Sequence, residues 1–255
     1  MIAVILAGGY AKRLWPLTLN KPKALLPISG KPMVNYVVEK LTQLDPPMSR
    51  VILSTNLRFQ SQFERWLRNT EYHDIELIPE KSSKEDEKLG AVRALAEIVE
   101  KIGKEDVLVL AGDSLFIDKL DSFIYFFYEK QAPTIALYYA RSVAEAKRGS
   151  TVVISESGRI LEFVEKPTHP RTTLVGACVY AFPAGIDKRL KEYLKLGLAT
   201  DEPGRFIEWL HKQESVYGYM FKNYLWDIGT IESYKAADKF FPQISASSNS
   251  EANDH

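Results

Sequence analysis

A regular alternation of short apolar runs and longer helical segments is the feature that most constrains the fold of this chain. IAVILA, residues 2–7, is a continuous apolar run that ends at two glycines, as a central strand buried on both faces does. Further strands are expected at RVILST, DIELIP and DVLVLAGDS, with amphipathic helices between them. Strands that alternate with helices in this way predict a parallel sheet wound by right-handed crossovers.

The pattern changes after Thr134, where strands follow one another with little helix between them. These strands are expected at TIALYYA, STVVIS, RILEFVE and TLVGACVYAF. The predicted fold class is therefore α/β: a Rossmann-like, mostly parallel mixed sheet flanked by helices, with an added antiparallel part. Residues 242–255 lack apolar periodicity and are expected to form a disordered tail.

Composition excludes several classes of protein. Lys+Arg is 33 and Asp+Glu is 33, and this balance argues against nucleic acid as the main partner. The single cysteine, Cys178, excludes an internal disulfide and fits a reducing compartment. No apolar run approaches the roughly 20 residues of a membrane span, and IAVILA is too short for a signal sequence. We therefore expect a cytoplasmic protein with no membrane partner.

The first candidate site is the segment LAGGYAKRL, which follows the opening strand. Its paired glycines, Gly8 and Gly9, let backbone N–H groups approach an anion closely. Arg13 can add a planar cation for phosphate oxygens. Ligands of open parallel sheets bind beyond the carboxyl ends of the strands, where this loop lies. The spacing matches neither G-x-G-x-x-G nor a P-loop, so a plain tight turn is the alternative.

A second candidate is the proline-rich loop NKPKALLPISGKPM, residues 20–33. Prolines fix such a loop before a ligand arrives, which lowers the ordering cost of binding. Lys23 then supplies a compact cation for phosphate. A solvated basic loop is the alternative, but the short distance from the glycine loop favours a function.

Two aspartates predict a metal site. Asp113 follows a buried strand at the same sheet edge as the glycine loop, and Mg²⁺ prefers one or two carboxylates plus phosphate oxygens. Asp227 lies between Trp226 and Ile228, an apolar setting in which an unpaired carboxylate is unfavourable, so we expect it to share the metal. The alternatives are a turn or capping role for Asp113 and a lysine or backbone partner for Asp227.

The segment FVEKP is the last candidate. Glu165 and Lys166 end an apolar strand and would point to opposite faces of it, so a bend is needed for both to face one ligand. Lys166 can hold a second phosphate and Glu165 can accept hydrogen bonds from sugar hydroxyls, whereas a surface strand end is the alternative. Cys178 lies within an apolar strand and is expected to be a core residue, not a nucleophile.

These motifs together resemble those of the sugar-phosphate nucleotidylyltransferase family, also called NDP-sugar pyrophosphorylases. The resemblance rests on LAGGYAKRLWPLT, KPKALLPISGKPM, AGDS, VEKP and WDIGT, in that order, and extends to about Phe241. It is closest to the short, glucose-1-phosphate thymidylyltransferase-like members without a C-terminal β-helix. It implies a reaction in which an NTP and a sugar 1-phosphate give an NDP-sugar and pyrophosphate.

The resemblance also implies roles for residues and regions. The implied catalytic residues are Arg13, Lys23 and Asp113, and the implied ligands of Mg²⁺ are Asp113 and Asp227. The implied nucleotide-binding residues are Leu6, Ala7, Gly8, Gly9, Arg13, Lys23, Glu80 and Gly90. The implied sugar-phosphate-binding residues are Glu165, Lys166 and Tyr180. The implied domain spans residues 1–241, with a nucleotide-binding half at 1–132 and a sugar-phosphate-binding half at 133–241.

Departures from the family pattern leave the substrates open. Arg93 stands where the family commonly has a second glycine, and Cys178 replaces a glycine before Tyr180. The expected substrates are glucose 1-phosphate with a thymidylyl or uridylyl donor. A guanylyl donor with mannose 1-phosphate or another sugar 1-phosphate is the alternative, because Glu80 can accept from the N1–H and N2–H₂ edge of guanine. Glu80 can also simply face solvent.

Two further questions stay open. A subunit that senses nucleotides or sugar phosphates without catalysis is a second alternative, because a fold alone never proves activity. The aromatic segment FIYFFY predicts a packed helix face, and an exposed part of it leaves a homo-oligomer possible.

Overall fold

In the computed structural model of the chain, which describes residues 1–81 and 89–251, the opening apolar run forms the central strand β1 (Ile2–Leu6). Side chains are described up to Phe241. Successive side chains of a strand point to opposite faces, and Ala3 and Ile5 join one hydrophobic cluster while Ile2 and Val4 join another. The sheet is therefore covered on both faces, as the apolar run predicts.

The strands form a mixed sheet that confirms the predicted α/β class. After β1 they are β2 (Pro27–Ile28), β3 (Lys31–Pro32), β4 (Arg50–Asn56), β5 (Ile75–Glu80), β6 (Val107–Ala111), β7 (Thr134–Tyr139), β8 (Ser150–Ile154), β9 (Ile160–Glu165), β10 (Leu174–Phe182) and β11 (Tyr217–Met220). Within the described residues, the nine-stranded sheet has the order β11-β7-β10-β6-β1-β4-β5, with β8 beside β10 and β9 beside β8. β1 is parallel to β4 and β6, and β4 is parallel to β5. β10 is antiparallel to β6, β7 and β8, and β2 and β3 pair separately.

Helices cover the two faces of the sheet. They are α1 (Met33–Thr42), α2 (Gln60–Arg68), α3 (Ala91–Ile102), α4 (Asp121–Lys130), α5 (Val143–Ala146), α6 (Asp187–Lys195), α7 (Pro203–Leu210) and α8 (Ile231–Glu251). α1, α2 and α4 share one cluster with Ala3 and Ile5, whereas α3, α6 and α7 share the other with Ile2 and Val4. Among the described helices, none combines the length and apolar character that a membrane crossing requires.

α8 holds the proline-rich loop in place. Tyr234 donates a hydrogen bond to the Pro27 carbonyl at 2.6 Å, and the Ser29 N–H donates to Asp238 at 2.6 Å. This helix continues past Phe241 to Glu251, which differs from the disordered tail expected from residue 242, and residues 252–255 lie outside the described part of the chain. A polar composition does not exclude a helix that continues from a packed segment.

Candidate active site

A cleft of about 600 Å³ lies at the carboxyl ends of β1, β5 and β6, which is where parallel sheets bind ligands. Every site residue expected from the sequence lines this cleft: Leu6, Ala7, Gly8, Gly9, Arg13, Lys23, Glu80, Gly90, Asp113, Glu165, Lys166, Tyr180 and Asp227. The fold thus collects in one cavity residues from nearly the whole length of the chain.

The Glu80 side chain lies directly against Gly8. A Cβ built on Gly8 would overlap the Glu80 carboxylate, whereas one on Gly9 meets no atom within 4 Å. The side-chain amide of Asn56 donates to the Gly8 carbonyl at 2.9 Å, and Asn56 is the register partner of Glu80 across β4 and β5. The glycine loop is therefore fixed by the neighbouring strands.

Arg13 lies on a short 3-10 turn, Lys12–Leu14, that projects it into the cleft. Ala11 precedes this turn with a φ of 46°, and Thr18 donates a hydrogen bond to the Ala11 carbonyl at 2.8 Å. A Cβ built on Gly229 would lie 3.8 Å from Arg13 Nη2 and 3.5 Å from Asp227 Oδ2. The guanidinium from the start of the chain and a carboxylate from its end therefore both lie next to Gly229.

Lys23 forms an ion pair with Asp113 inside the cleft. Lys23 begins a second 3-10 turn, Lys23–Leu25, and Asp113 follows β6. The Gly112 N–H donates to the Leu6 carbonyl at 2.9 Å, so the turn that carries Asp113 is tied to the end of β1. Asp113 is thus a turn residue, but one that faces a cation in the cleft.

Asp227 is exposed, so the expectation that it sits in an apolar setting is wrong. Its neighbours Trp226 and Ile228 are buried, and alternation along an extended segment leaves the side chain between them facing the cleft. The Trp226 N–H donates to the Leu115 carbonyl at 2.9 Å in an antiparallel bridge. This bridge holds the segment of Asp227 beside that of Asp113.

The two aspartates fit a divalent metal that completes its shell with substrate. Among the described residues, no group of three or more His, Cys, Asp or Glu side chains forms a closed metal cage. Mg²⁺ is usually held by one or two carboxylates plus phosphate oxygens and water, and Asp113 and Asp227 offer that kind of donor set at one wall of the cleft.

A bend brings Glu165 and Lys166 to the same cleft, as the sequence requires for both to face one ligand. Lys166 has a φ of 50°, and its N–H donates to the Gly149 carbonyl at 2.9 Å. Glu165 is buried, accepts a hydrogen bond from the Ser150 hydroxyl, and has its pKa raised chiefly by burial. Lys166 forms an ion pair with Glu202.

Gly90 directly precedes α3 as its N-cap, has a φ of 82° and lies tightly against Thr200. Thr200 donates through its hydroxyl to the Leu89 carbonyl at 2.9 Å and accepts the Val92 N–H at 2.9 Å through its own carbonyl. The segment that follows α6 therefore contacts the start of α3 and, through Glu202, also reaches Lys166.

Cys178 and Tyr180 lie on β10 where its register against β7 shifts between Gly176 and Tyr180. Burial raises the pKa of the Cys178 thiol to about 12, with the charge of Asp113 as the next cause. The pKa of Tyr180 is also raised well above its usual value by burial. A thiol with such a pKa is protonated near neutral pH and is a poor nucleophile.

Several cleft residues carry no recognisable sequence signal. Ser150 binds Glu165, Glu202 pairs with Lys166, and Arg148 also lines the cleft. Glu202 directly precedes Pro203 at the start of α7, which is a helix-start pattern, but its pairing with Lys166 depends on a distant segment.

The sequence of this chain is similar to those of known nucleotidyl transferases. The family model described as nucleotidyl transferase matches residues 2–243. D-glycero-alpha-D-manno-heptose 1-phosphate guanylyltransferase of Aneurinibacillus thermoaerophilus is 30% identical over 240 residues, which cover 94% of this chain and 97% of that protein. The bifunctional protein GlmU of Methanocaldococcus jannaschii is 27% identical over 94% of this chain, which spans only 54% of that relative's length.

A solved structure has the same fold. The structure of UDP-glucose pyrophosphorylase complexed with UDP-glucose superposes with a TM-score of 0.78 at 20% identity, over 95% of this chain and 98% of that one. Members of the matched family generally use a divalent metal, and their substrates are an NTP and a sugar 1-phosphate. On the family match over residues 2–243 and the full-length relative, the chain belongs to the nucleotidyl transferase family.

Proposed function

We propose that this protein is a sugar-1-phosphate nucleotidylyltransferase that converts an NTP and a sugar 1-phosphate into an NDP-sugar and pyrophosphate. The observation that carries the proposal is that Arg13, Lys23 and Lys166 line the same cleft as the carboxylates of Asp113 and Asp227. Such a charge pattern suits two polyanionic substrates, because cations and a metal offset their mutual repulsion.

The chemistry needs positioning more than proton transfer. A phosphate monoester has its second pKa near roughly 6, so the attacking oxygen is already largely anionic at pH 7 and needs no general base. This oxygen forms a bond to the α-phosphorus, the bond from that phosphorus to the β-phosphate oxygen breaks, and pyrophosphate leaves with the electron pair. The protein has to hold both substrates in line and stabilise the developing charge.

We assign the centre of the cleft to the triphosphate. Arg13 and Lys23 contact its phosphates, and the Lys23 ammonium exchanges its Asp113 partner for phosphate oxygens when the nucleotide binds. Asp113 and Asp227 hold Mg²⁺, which supplies charge neutralisation and orientation of the phosphates. The backbone N–H groups around Gly8 and Gly9 contribute fixed dipoles at the same edge of the sheet.

We assign the other end of the cleft to the sugar 1-phosphate. Lys166 binds its phosphate in place of Glu202, and the buried Glu165 accepts hydrogen bonds from sugar hydroxyls beside Tyr180. In this assignment residues 1–132 form the nucleotide-binding half and residues 133–241 the sugar-phosphate-binding half. The cytoplasmic location stays a prediction.

The sugar is left open by the relatives, because one is a heptose 1-phosphate enzyme and the structural neighbour holds UDP-glucose. Glucose 1-phosphate is the first candidate from the sequence, and mannose and heptose 1-phosphates follow.

A grid of nucleoside triphosphates against sugar 1-phosphates, with pyrophosphate detection, tests the proposal. We expect pyrophosphate release only when one matching NTP, one matching sugar 1-phosphate and Mg²⁺ are all present. Tight binding of both ligands without turnover across the whole grid would instead support the sensing subunit.

A further inference from the structure

We infer that Glu80 selects guanine, so that GTP is the nucleotide of the proposed reaction; the inference rests on the proposed function. The strand order supplies the starting point. Glu80 ends β5, at one edge of the sheet, whereas Tyr180 lies on β10 at the other side of β1 and β6. The groups assigned to the phosphates, such as Asp113, follow β1 and β6 between these two ends. A nucleotide whose phosphates lie at the centre and whose partner sugar lies toward β10 has its base toward β5.

Glu80 is the base-reading candidate on the wall of the cleft toward β5, as far as the structure describes that wall (residues up to 81 and from 89 onward). From the ends of β1 and β5 and the start of α3 it is lined by Leu6, Ala7, Gly8, Glu80, Gly90 and Ala91. Of these six residues only Glu80 has a polar side chain. Backbone groups are the same whatever the side chains, so among these six described residues side-chain discrimination depends on Glu80.

The strand end that carries Glu80 is held in place. The Glu80 carboxylate lies directly against Gly8 of the glycine loop. The Glu80 backbone pairs with Asn56, and the Asn56 amide binds the Gly8 carbonyl at 2.9 Å. The carboxylate is partly buried and its backbone is pre-positioned at a fixed strand end, and pre-positioning strengthens discrimination between ligands.

The chemistry of the carboxylate favours guanine over the other bases. An ionised carboxylate only accepts hydrogen bonds, and it can accept two that lie side by side. Guanine presents two adjacent donors, N1–H and N2–H₂. Uracil and thymine present one N3–H between two carbonyls, and adenine and cytosine present one amino group beside a ring nitrogen that accepts. Only guanine therefore donates a hydrogen bond to both carboxylate oxygens. Each of the other bases would place an acceptor atom against one of these oxygens.

Two comparisons test this chemistry directly. ITP differs from GTP by the loss of the N2 amino group, so the wild type should bind it about 10- to 100-fold more weakly. In Glu80→Gln the side chain has one acceptor and one donor, which matches the N3–H and carbonyl edge of uracil. This variant should lose its preference for GTP and gain affinity for UTP.

Matched controls separate Glu80 from other carboxylates. Glu76 lies on the same strand, is exposed and pairs with Arg50, so Glu76→Gln should leave the base preference unchanged. Asp201 lines the cleft beside Thr200, close to Gly90, and Asp201→Asn tests whether this second acid sets the preference instead.

The experiment measures equilibrium binding of GTP, ITP, UTP, dTTP and ATP to the full chain with Mg²⁺, together with turnover. The inference is overturned if the wild type prefers UTP, dTTP or ATP, if GTP and ITP bind equally, or if base preference follows Asp201. The GTP/ITP comparison on the wild type holds even if Glu80→Gln fails to fold. A guanine preference in binding without pyrophosphate release from any pair would contradict the proposed function but not the base assignment.

Discussion

Lys23 and Asp113 neutralise each other at the centre of the cleft, where the loop after β1 meets the turn after β6. Both groups are therefore paired before any substrate binds. When the triphosphate and its metal bind, phosphate oxygens can replace Asp113 as the partner of Lys23, and the metal can replace Lys23 as the partner of Asp113. Binding therefore exchanges one set of charge contacts for another and leaves neither charge unpaired.

Removing the Lys23 ammonium should disable turnover. In Lys23→Met we expect kcat/KM for pyrophosphate release to fall by about two decades or more, because one charge-stabilising group is lost at the triphosphate. Lys21→Met is the matched control, since Lys21 is exposed on the same loop and is absent from the described cleft lining. Equal losses of kcat/KM in the two variants would show that Lys23 contributes only to the overall positive charge of the loop and makes no specific contact with the triphosphate.

Asp227→Asn should weaken the use of the metal. We expect kcat/KM to fall by about two decades and half-maximal activity to need more Mg²⁺, because an amide is a weaker and uncharged ligand. A titration of activity with Mg²⁺ measures both effects. Asp121→Asn, at an exposed position in the first turn of α4, is the control and should titrate like the wild type. An unchanged Mg²⁺ dependence in Asp227→Asn would remove this residue from the metal site.

Gly90→Ala should destabilise the fold. Gly90 has a φ of 82° and a ψ of 150°, a region that only glycine adopts readily, and a Cβ there would overlap the Thr200 backbone. We expect the free energy of unfolding in urea to drop by about 2 kcal/mol or more. Gly9→Ala is the control, because a Cβ on Gly9 meets no atom within 4 Å. Equal stability of the two variants would contradict the contact with Thr200.

Binding of GTP should depend on pH through Glu80. Burial, followed by the charge of Glu97 on α3, raises the pKa of Glu80 to about 7. Guanine requires the ionised form, so affinity should rise by about tenfold per pH unit below that pKa and level off above it. The γ-phosphate of GTP titrates in the same range, so the profile is read as the difference between the wild type and Glu80→Gln. Parallel profiles would contradict a role for the Glu80 carboxylate in binding.

Cys178 should be inert. Because burial raises its pKa to about 12, the folded protein at pH 7.5 should react with a disulfide-exchange reagent far more slowly than the protein unfolded in guanidinium. The unfolded chain, with its one cysteine, provides the reference stoichiometry. Cys178→Ala should retain turnover. Rapid labelling of one thiol in the native state would show a reactive cysteine in the cleft.

The fold and the members of the cleft were largely predictable because they follow from local patterns. The continuous apolar run of β1 and the helical spacing of apolar residues can be recognised directly in the sequence. The loops that follow parallel strands lie at one edge of the sheet, so the residues of these loops were expected in one cleft. The bend at Lys166 was also predictable, because Glu165 and Lys166 would point to opposite faces of a regular strand and could not both face one ligand.

Other features depend on contacts between distant segments and carry no local signal. The two-residue strands β2 and β3 and the short α5 are below the length at which periodicity can be recognised. The exposure of Asp227 depends on how Trp226 bridges to Leu115, and the bond from Ser150 to Glu165 depends on the pairing of β8 with β9.

The central claim is that one cleft joins two phosphorylated substrates, and ³¹P NMR of a running reaction tests it most directly. With GTP, the best sugar 1-phosphate from the grid, Mg²⁺ and the full chain, we predict a pair of diphosphate signals from an NDP-sugar that grows one-for-one with pyrophosphate. Inorganic phosphate or free GMP released without any NDP-sugar, or unchanged spectra despite bound ligands, would contradict the account.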